Sequence, residues 1–285
     1  MHINYVTNAE ICEIIRTNLY KIPHDIDGII CVPRGGLFVG TIMAEFLHKP
    51  IYTPESWLES RQLGNGKCET GLTPSSTGHY IVVDDSVSSG ETFKNIREKI
   101  DVPWYRLTYV AVVGAEEHMP YTDIVMKVIP EFRLFELNFF RSSWVHSCIF
   151  DIDGLLCEDP TPNLDADEEA YIKHIGETAR PLLPLQFPAM VLCTHRLLKY
   201  LEPTQKWLQE HNIQYEMLHM LAFGSREEKI QKLNSYEFIN MKSTVYQMYP
   251  NALLFVESNW EEAQRIYENT HRPVLCTDKN ILLQD

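Results

Sequence analysis

The segment at residues 82–93, VVDDSVSSGETF, places two consecutive acidic residues between an apolar run and a loop of small residues. The run HYIVVDD (79–85) predicts a buried strand, residues 88–90 a tight loop, and the residues after them the beginning of a helix. Backbone N–H groups at a helix N-terminus, with Ser and Thr hydroxyls, can bind a phosphate without any lysine. The carboxylates of Asp84 and Asp85 can accept hydrogen bonds from the vicinal hydroxyls of a ribose ring. Because a simple helix-capping turn needs only one Asp or Ser, the pattern favours a sugar-phosphate site.

The residues around this segment alternate between helical and extended patterns. Apolar residues at helical spacing follow a potential N-cap at Thr7 or Asn8, and the first strand pattern ends in Pro-Arg-Gly-Gly. Strands that alternate with helices imply right-handed βαβ units and a parallel sheet. The predicted helices are 7–20, 37–47 and 91–100, and the predicted strands are 28–32, 51–53, 79–85 and 105–113.

The 82–93 segment resembles the motif that binds phosphoribosyl pyrophosphate (PRPP) in the type I phosphoribosyltransferases. The loop at 33–36 resembles the pyrophosphate loop of that family, in which small residues let backbone amides approach the diphosphate. The polar segment 54–78 occupies the place of the family's mobile loop. The resemblance covers roughly residues 1–130 and implies a PRPP-dependent transferase that uses Mg²⁺ to shield the departing pyrophosphate.

The resemblance assigns a role to each matching position. Asp84 and Asp85 would contact the ribose hydroxyls and stabilise the charge that develops at the anomeric carbon. The residues expected to bind the 5-phosphate are Ser88, Ser89, Gly90, Glu91 and Thr92. The residues expected to bind the pyrophosphate are Arg34, Gly35 and Gly36, joined by Arg61 and Lys67 from the mobile loop. Arg61 and Lys67 could equally be solvated loop charges.

A second series of strands begins near residue 147. In FDIDGLL (150–156) the period of two points Asp151 and Asp153 to one side of the strand end, and Gly154 permits a sharp turn behind them. One carboxylate can attack phosphorus while the other transfers a proton to the leaving oxygen. The strands of this series are predicted at 147–154, 189–195, 252–258 and 273–277, and their carboxyl ends form the edge where ligands bind in open α/β sheets.

Thr194, Lys242 and Glu257 follow these acids along the chain in an order that resembles the haloacid dehalogenase superfamily of Mg²⁺-dependent phosphatases. The resemblance implies that Asp151 is the nucleophile and Asp153 the general acid and base. It implies that Thr194 hydrogen-bonds the phosphoryl group and that Lys242 supplies a cation beside it. It also implies that Asp151, Asp153 and Glu257 bind the metal.

Two features depart from the superfamily pattern. The fourth motif usually has two acids, whereas Glu257 is followed by Ser258, so Glu261 is a candidate for the second carboxylate. Lys229 is an alternative to Lys242 for the third motif, although Lys242 is preferred because it precedes the third predicted strand by about one helix.

Other charged residues near these motifs have simpler interpretations. Few residues, several of them proline, separate the first two motifs, which predicts little or no cap and an open site. His195 follows Thr194 at a strand end and is a candidate for substrate contact. Arg180, Arg196 and the acidic run 165–169 are interpreted as surface or loop charges.

Length and composition favour a globular protein of two domains. The chain has 285 residues, of which 45% are hydrophobic and 22% charged, and it exceeds the usual size of one domain. We predict a phosphoribosyltransferase domain at 1–146, including a variable hood and linker, and a phosphatase domain at 147–285. The fold class predicted for both is α/β and Rossmann-like, with a mainly parallel sheet flanked by helices.

Charge and cysteine usage restrict the partners and the compartment. The formal net charge of −14 opposes binding to a nucleic-acid backbone. The seven cysteines are odd in number and never form C-x-x-C, which is typical of a reducing cytoplasm. Neither a spanning apolar stretch nor the pattern of a signal peptide is found, so we expect a cytoplasmic protein with at most peripheral membrane contact.

The two predicted activities are connected by their chemistry. A phosphoribosyltransferase leaves the 5-phosphate of PRPP on its product, and a phosphatase in the same chain would meet that product at high effective concentration. The combination resembles the transferase–phosphatase pairs that install ribofuranose in bacterial surface polysaccharides. That resemblance implies PRPP and a glycan, lipid-linked or free, as partners and Mg²⁺ as cofactor. The chain could act as a monomer or as a homodimer.

Two other functions stay open at this point. A nucleobase phosphoribosyltransferase fused to a nucleotide 5-phosphatase would release a nucleoside, although removal of the 5-phosphate would undo the metabolic trapping of a nucleotide. A PRPP-sensing regulatory protein would need PRPP binding without turnover. The presence of both Asp84 and Asp85, and of a complete set of phosphatase residues, argues against the sensor.

Overall fold

A computed structural model describes residues 2–63, 77–161 and 167–285. The chain divides into two compact units, Ile3–Leu137 and Asn138–Asp285, here called the N-terminal unit and the C-terminal unit. Each unit contains a mainly parallel sheet flanked by helices, which confirms the predicted fold class. No helix within the described ranges is long and apolar enough to cross a membrane.

The N-terminal unit contains a five-stranded parallel sheet and a separate two-stranded parallel sheet. Its strands are β1 (Asn4–Val6), β2 (Ile26–Cys31), β3 (Ile51–Tyr52), β4 (His79–Val87), β5 (Leu107–Gly114), β6 (Ile124–Val128) and β7 (Arg133–Phe135). Its helices are α1 (Asn8–Asn18), α2 (Gly35–Leu47), α3 (Pro54–Leu58) and α4 (Glu91–Lys99). The larger sheet has the order β3-β2-β4-β5-β6, and the smaller one pairs β1 with β7.

The apolar run of β4 is buried on both of its faces. Ile81 and Val83 belong to the core on one side of the sheet, and Tyr80 and Val82 belong to the core on the other. This two-sided burial explains why the strand has a continuous hydrophobic run instead of an alternating pattern. Polar residues can therefore follow only at the carboxyl end of the strand, at the edge of the sheet.

The C-terminal unit contains a six-stranded sheet in the order β10-β9-β8-β11-β12-β13, in which the last strand alone is antiparallel. Its strands are β8 (Cys148–Phe150), β9 (Ala189–Leu197), β10 (Tyr215–Leu221), β11 (Leu254–Glu257), β12 (Val274–Cys276) and β13 (Ile281–Leu283). Its helices are α5 (Glu168–Lys173), α6 (Leu201–Glu210), α7 (Arg226–Gln231), α8 (Tyr236–Met248) and α9 (Trp260–Thr270), with one π-helical turn at His174–Thr178.

The predicted strands and helices lie close to observed elements, and the strands that were not predicted lie at sheet edges or in the separate two-stranded sheet: β1, β6, β7, β10 and β13. β10 was not predicted, because its burial pattern is irregular and Glu216 and Met217 are exposed. Trp207 of α6 is fully buried, and its indole N–H donates to Ala179 O at 2.8 Å. The N-terminal unit ends at Leu137, whereas the sequence predicts the domain boundary after residue 146.

Gly40 sets the distance between α2 and β2, and its replacement tests this packing. A Cβ at Gly40 would overlap Cys31 Sγ and lie 3.0 Å from a methyl group of Val83. We expect Gly40→Ala to destabilise the protein by about 1–3 kcal/mol in urea unfolding, because the close-packed core cannot accept the added carbon.

A matched control separates packing from helix propensity. Thr41→Ala, at the next and exposed position of α2, is expected to change the free energy of unfolding little. Adding Cys31→Ala to Gly40→Ala should recover part of the loss. Equal effects of the Gly40 and Thr41 substitutions would contradict the packing argument.

Candidate active sites

The acid pair of the N-terminal unit lies directly against the loop between β2 and α2. A Cβ at Gly35 would overlap the carboxylate of Asp85, and a Cβ at Gly36 would overlap Val83 O. Both positions therefore require glycine while the strand and the loop stay this close. The structure thus brings the predicted pyrophosphate loop and the predicted ribose-binding acids together at one end of the sheet.

The residues after the acid pair enclose a small cavity of about 240 Å³. Gly90 is the N-cap of α4 and has a φ of +75°, a conformation that favours glycine. It has no side chain to bond the first N–H groups of the helix, and the N–H of Glu91 donates instead to Ser89 Oγ at 3.4 Å. The cavity is lined by Asp84, Ser86, Val87, Ser88, Ser89, Gly90, Glu91, Thr92 and Phe93.

Burial makes the acid pair hard to ionise fully. Burial and the neighbouring charge of Asp85 raise the pKa of Asp84 to about 8. Burial also raises the pKa of Asp85, although hydrogen bonds that its carboxylate accepts oppose this shift. One of them comes from the N–H of Ser86 at 2.8 Å. A ligand that donates hydrogen bonds or carries positive charge would favour the ionised pair.

Two of the predicted pyrophosphate cations, Arg34 and Arg61, are not among the residues that line this cavity. Arg34 is exposed and follows a cis peptide bond after Pro33. Arg61 forms an exposed ion pair of 2.9 Å with Glu59. Lys67 lies outside the described residues.

The cation that lies near the acid pair is Arg133, which sequence reasoning missed. Its side chain is only 6% exposed and its Nη2 donates to Val87 O at 3.1 Å. No local pattern indicates this contact, because Arg133 is an isolated charge 46 positions along the chain from Val87.

In the C-terminal unit, Lys242 joins three carboxylates from different elements. Its Nζ lies 2.9 Å from Asp151, 2.7 Å from Glu257 and 2.5 Å from Glu262. Burial alone would lower the pKa of Lys242, but the carboxylates raise it well above its usual value. Burial and the charge of Glu257 raise the pKa of Asp151 despite the lysine. Lys242 therefore contacts two of the predicted acids, Asp151 and Glu257, and Lys229 lines the same cavity. The assignment of Lys242 to the third phosphatase motif stays a prediction.

Asp153 is paired with Arg196 instead of with the lysine. Arg196 Nη2 lies 2.6 Å from Oδ1 and Nε lies 3.0 Å from Oδ2, while the Thr194 hydroxyl donates to Oδ2 at 3.4 Å. Burial would raise the pKa of Asp153, but the charge and hydrogen bonds of Arg196 lower it. Arg196 is only 1% exposed, so the interpretation of this residue as a surface charge is wrong. Thr194 and Arg196 are two positions apart in β9, so their side chains point the same way.

Glu262 contacts Lys242, whereas the candidate Glu261 lines the second cavity described below. Asn259 is the N-cap of α9 and accepts from the N–H of Glu262 at 3.1 Å. This cap places Glu262 within reach of Lys242, and the charge of the lysine holds the pKa of Glu262 well below its usual value although burial opposes the shift. His195 lies 3.4 Å from Glu262 and stacks on Phe238 at 4.4 Å between ring centroids.

These side chains line a cavity of about 550 Å³ in which acids predominate. Asp159, which the sequence analysis did not single out, is a fifth carboxylate on the wall, and burial raises its pKa. A second cavity of about 570 Å³ shares Asp159, Ser258 and Asn259 with the first. The remaining residues of its wall are Gly154, Trp260, Glu261, Thr277, Asp278 and Lys279.

The predicted Mg²⁺ ligands are close together but engaged with cations. Carboxylate oxygens are the donors that Mg²⁺ prefers, yet Lys242 lies between Asp151 and Glu257, and Arg196 holds both oxygens of Asp153. Glu257 also accepts two backbone N–H bonds, at 2.9 and 3.0 Å. In the described part of the chain no three His, Cys, Asp or Glu side chains are placed to hold a metal ion. In this arrangement the predicted ligand set does not fit the metal.

Comparisons with known proteins find similarity among solved structures. Xanthine-guanine-hypoxanthine phosphoribosyltransferase of Helicobacter pylori is 16% identical, with a TM-score of 0.34 over 48% of this chain and 93% of its own. A purine phosphoribosyltransferase from Pyrococcus horikoshii Ot3 is 17% identical, with a TM-score of 0.33 over 47% and 93%. A chain of the Pnkp1/Rnl/Hen1 RNA repair complex is 13% identical, with a TM-score of 0.30 over 97% of both chains. No family model and no curated protein matches.

These similarities include phosphoribosyltransferase structures that cover about half of the chain. These three structures are each below 25% identity and below a TM-score of 0.5, which is too low to assign an activity, a substrate or a partner. The function of the chain is therefore inferred from the side chains described above.

The raised pKa of Asp84 predicts how stability depends on pH. The folded state retains a proton on Asp84 up to about pH 8, whereas the unfolded chain releases it near 3.8. The free energy of unfolding contributed by this group is therefore greatest below about pH 4 and falls as the pH rises towards 8. We expect Asp84→Asn to remove part of this fall, measured by denaturant unfolding at several pH values. Asp101→Asn, at an exposed position, should keep the dependence of the wild type, and identical profiles for all three proteins would contradict the prediction.

The buried pair of Arg196 and Asp153 predicts an asymmetric response to substitution. Arg196→Met should destabilise the protein by about 3–5 kcal/mol, because it removes the only guanidinium that the structure places on the Asp153 carboxylate. Adding Asp153→Asn should recover part of the loss, measured by chemical denaturation. Arg180→Met is the control, because that guanidinium is 75% exposed in a loose pair with Glu158. A loss of similar size in the control would contradict the prediction.

Proposed function

We propose that the chain is a bifunctional enzyme that transfers 5-phosphoribosyl from PRPP to a glycan and then hydrolyses the 5-phosphate, leaving a ribofuranosyl residue. The observation that carries the proposal is the presence of two acid-pair sites in one chain. The Asp84–Asp85 pair adjoins a phosphate-sized loop cavity, and the Asp151–Asp153 pair is flanked by Lys242. The first arrangement suits a sugar phosphate and the second suits attack on a phosphate ester.

In the proposed transfer step, Asp84 and Asp85 accept hydrogen bonds from the ribose hydroxyls. Their charge stabilises the oxocarbenium character that develops as the bond from C1 to pyrophosphate breaks. The first N–H groups of α4 bind the 5-phosphate, and the backbone at Gly35 and Gly36 lies where the leaving pyrophosphate would be bound. A hydroxyl of the acceptor forms the new bond to C1, and its proton leaves with pyrophosphate.

In the proposed hydrolysis, a carboxylate oxygen of Asp151 attacks phosphorus and the bond from phosphorus to the ribose 5-oxygen breaks. Asp153 protonates the leaving oxygen, then takes a proton from the water that hydrolyses the aspartyl-phosphate. Arg196 opposes the protonated form of Asp153, so this role requires the negative charge of the bound phosphate to offset the guanidinium. Thr194 and Lys242 are placed to hold the phosphoryl oxygens. Mg²⁺ is expected from the resemblance alone. Each group that acts in these steps is a side chain of the protein, the substrate or water.

The surroundings of the phosphatase site support a glycan as the molecule that carries the phosphate. The second cavity adjoins the first, so a ligand longer than a phosphorylated ribose can extend into it. Among the described residues of its wall are three acids, Asp159, Glu261 and Asp278, and one cation, Lys279, which disfavours a phosphodiester chain. Trp260 offers an aromatic surface against which the apolar face of a sugar can pack.

The test is mass spectrometry of acceptors incubated with PRPP and Mg²⁺. With short glycans, the wild type should add a bare pentose, whereas Asp151→Asn should add a phosphopentose, because the variant lacks the nucleophile. Asp84→Asn with Asp85→Asn should abolish transfer and still hydrolyse a supplied 5-phosphoribosyl glycan. Asp101→Asn is the control for an exposed substitution.

Other outcomes would replace this assignment. Free nucleobases in the same panel test the alternative, because a nucleotide with Asp151→Asn and a nucleoside with the wild type would assign the chain to base metabolism. PRPP binding without turnover would favour a sensor. Loss of both half-reactions in Asp151→Asn would show that the two sites are not independent.

A further inference from the structure

All three N–H groups of the Lys242 ammonium are engaged by carboxylates in this structure. A lysine carries three donors, and Nζ donates to Asp151, Glu257 and Glu262 at 2.9, 2.7 and 2.5 Å. The proposed hydrolysis needs the same ammonium to bind a phosphoryl oxygen. One carboxylate therefore has to leave Lys242 when the phosphate arrives.

Two of the three carboxylates are held where they are. Asp151 is the proposed nucleophile, and its side chain is 7% exposed. Glu257 is fully buried, and its other oxygen accepts the backbone N–H groups of Ser258 and Asn259 at 2.9 and 3.0 Å. Within the described ranges, no cation other than Lys242 lies at ion-pair distance from either carboxylate. Displacing either one would leave a buried charge without a counter-ion, which is strongly unfavourable.

Glu262 is more exposed than the other two and has an alternative partner. Its side chain is 26% exposed, and its other carboxylate oxygen, Oε1, lies 3.4 Å from Nδ1 of His195. The imidazole ring is fixed by its stack on Phe238, with 18° between the ring planes, and by a contact of 3.2 Å between Nε2 and Phe238 O. Because a carbonyl oxygen only accepts, the ring donates from Nε2, and as an imidazolium it also donates from Nδ1.

We propose that Glu262 moves from Lys242 to His195 when the phosphate binds, which leaves one N–H of the ammonium for a phosphoryl oxygen. This inference rests on the proposed function, because it needs a phosphate ester at the Lys242 site. His195 lines the same cavity as Lys242 and Asp151, so the exchange takes place within the site. Glu262 keeps a charged partner throughout. His195 is thus a positioning residue that acts through Glu262.

The experiment is a double-mutant cycle on the binding of inorganic phosphate, measured by titration calorimetry of the full chain with Mg²⁺ present. His195→Phe keeps an aromatic ring for the stack on Phe238 but has no donor for Glu262. It should weaken phosphate binding about tenfold, as expected for a lost charged hydrogen bond. Glu262→Gln should bind phosphate at least as tightly as the wild type, because a neutral amide competes less for the ammonium. In the Glu262→Gln background, His195→Phe should change the affinity by less than about twofold.

Two further variants separate the donor from the ring. His195→Asn, whose amide nitrogen can take the place of Nδ1, should recover part of the affinity. His211→Phe is the matched control, because the His211 ring also stacks on an aromatic residue, Trp207, with 4.2 Å between the ring centroids. His211 is not among the residues that line the cavity, so this variant should bind phosphate like the wild type. Thermal unfolding verifies that each variant is folded.

Each other result has a distinct meaning. An equal loss from His195→Phe in both backgrounds would overturn the inference, because His195 would then act by its own charge and not through Glu262. Unchanged affinity in His195→Phe would overturn it, and so would weaker binding by Glu262→Gln. If the wild type binds no phosphate, the proposed hydrolysis fails and the inference fails with it. If the wild type binds phosphate and the loss depends on Glu262, the inference holds.

Discussion

One ammonium group holds three buried carboxylates together in the C-terminal unit. Asp151, Glu257 and Glu262 come from the end of β8, from β11 and from α9, and each lies within 3 Å of Lys242 Nζ. Acids this close and this buried repel each other strongly unless a cation stands between them. The positions of β8, β11, α8 and α9 around the cavity therefore depend on this one side chain.

In the N-terminal unit, protonation reduces the repulsion within the buried acid pair. Asp84 and Asp85 are consecutive and buried, and the pKa of both is raised, so the pair retains a proton where the acids around Lys242 retain a cation. The difference suits different ligands. A site that is charged only in part can accept the hydroxyl donors of a ribose, whereas a permanent ion-pair network can keep a carboxylate in place for attack on phosphorus.

An arginine from outside the acid motif lies near each acid pair. Arg196 comes from β9, the neighbour of β8, and its fork holds Asp153. Arg133 comes from a separate two-stranded sheet and bonds the carbonyl that ends β4. In both cases the acids belong to a compact sequence motif, and the cation that offsets them is an isolated residue elsewhere in the chain. The cavity lined by Trp260 and Asp278 adjoins the site around Lys242.

The sequence by itself determined the parallel sheets and the acids at their edges. Residues 79–85 form a strand because a continuous apolar run suits a strand buried on both faces, and Asp151 with Asp153 follows another such run. These are local patterns, and the common direction of parallel strands brings their ends to one edge.

Only the tertiary structure decided which partners the acids have. It brought Glu262 to Lys242, it buried Arg196, and it placed Arg133 beside Val87. Each choice depends on the distance between side chains that are far apart in the chain, and on the free energy of burying charge, which no local pattern contains. The edge strand β10 was not predicted for a related reason. Its half-exposed surface leaves no regular periodicity in the sequence.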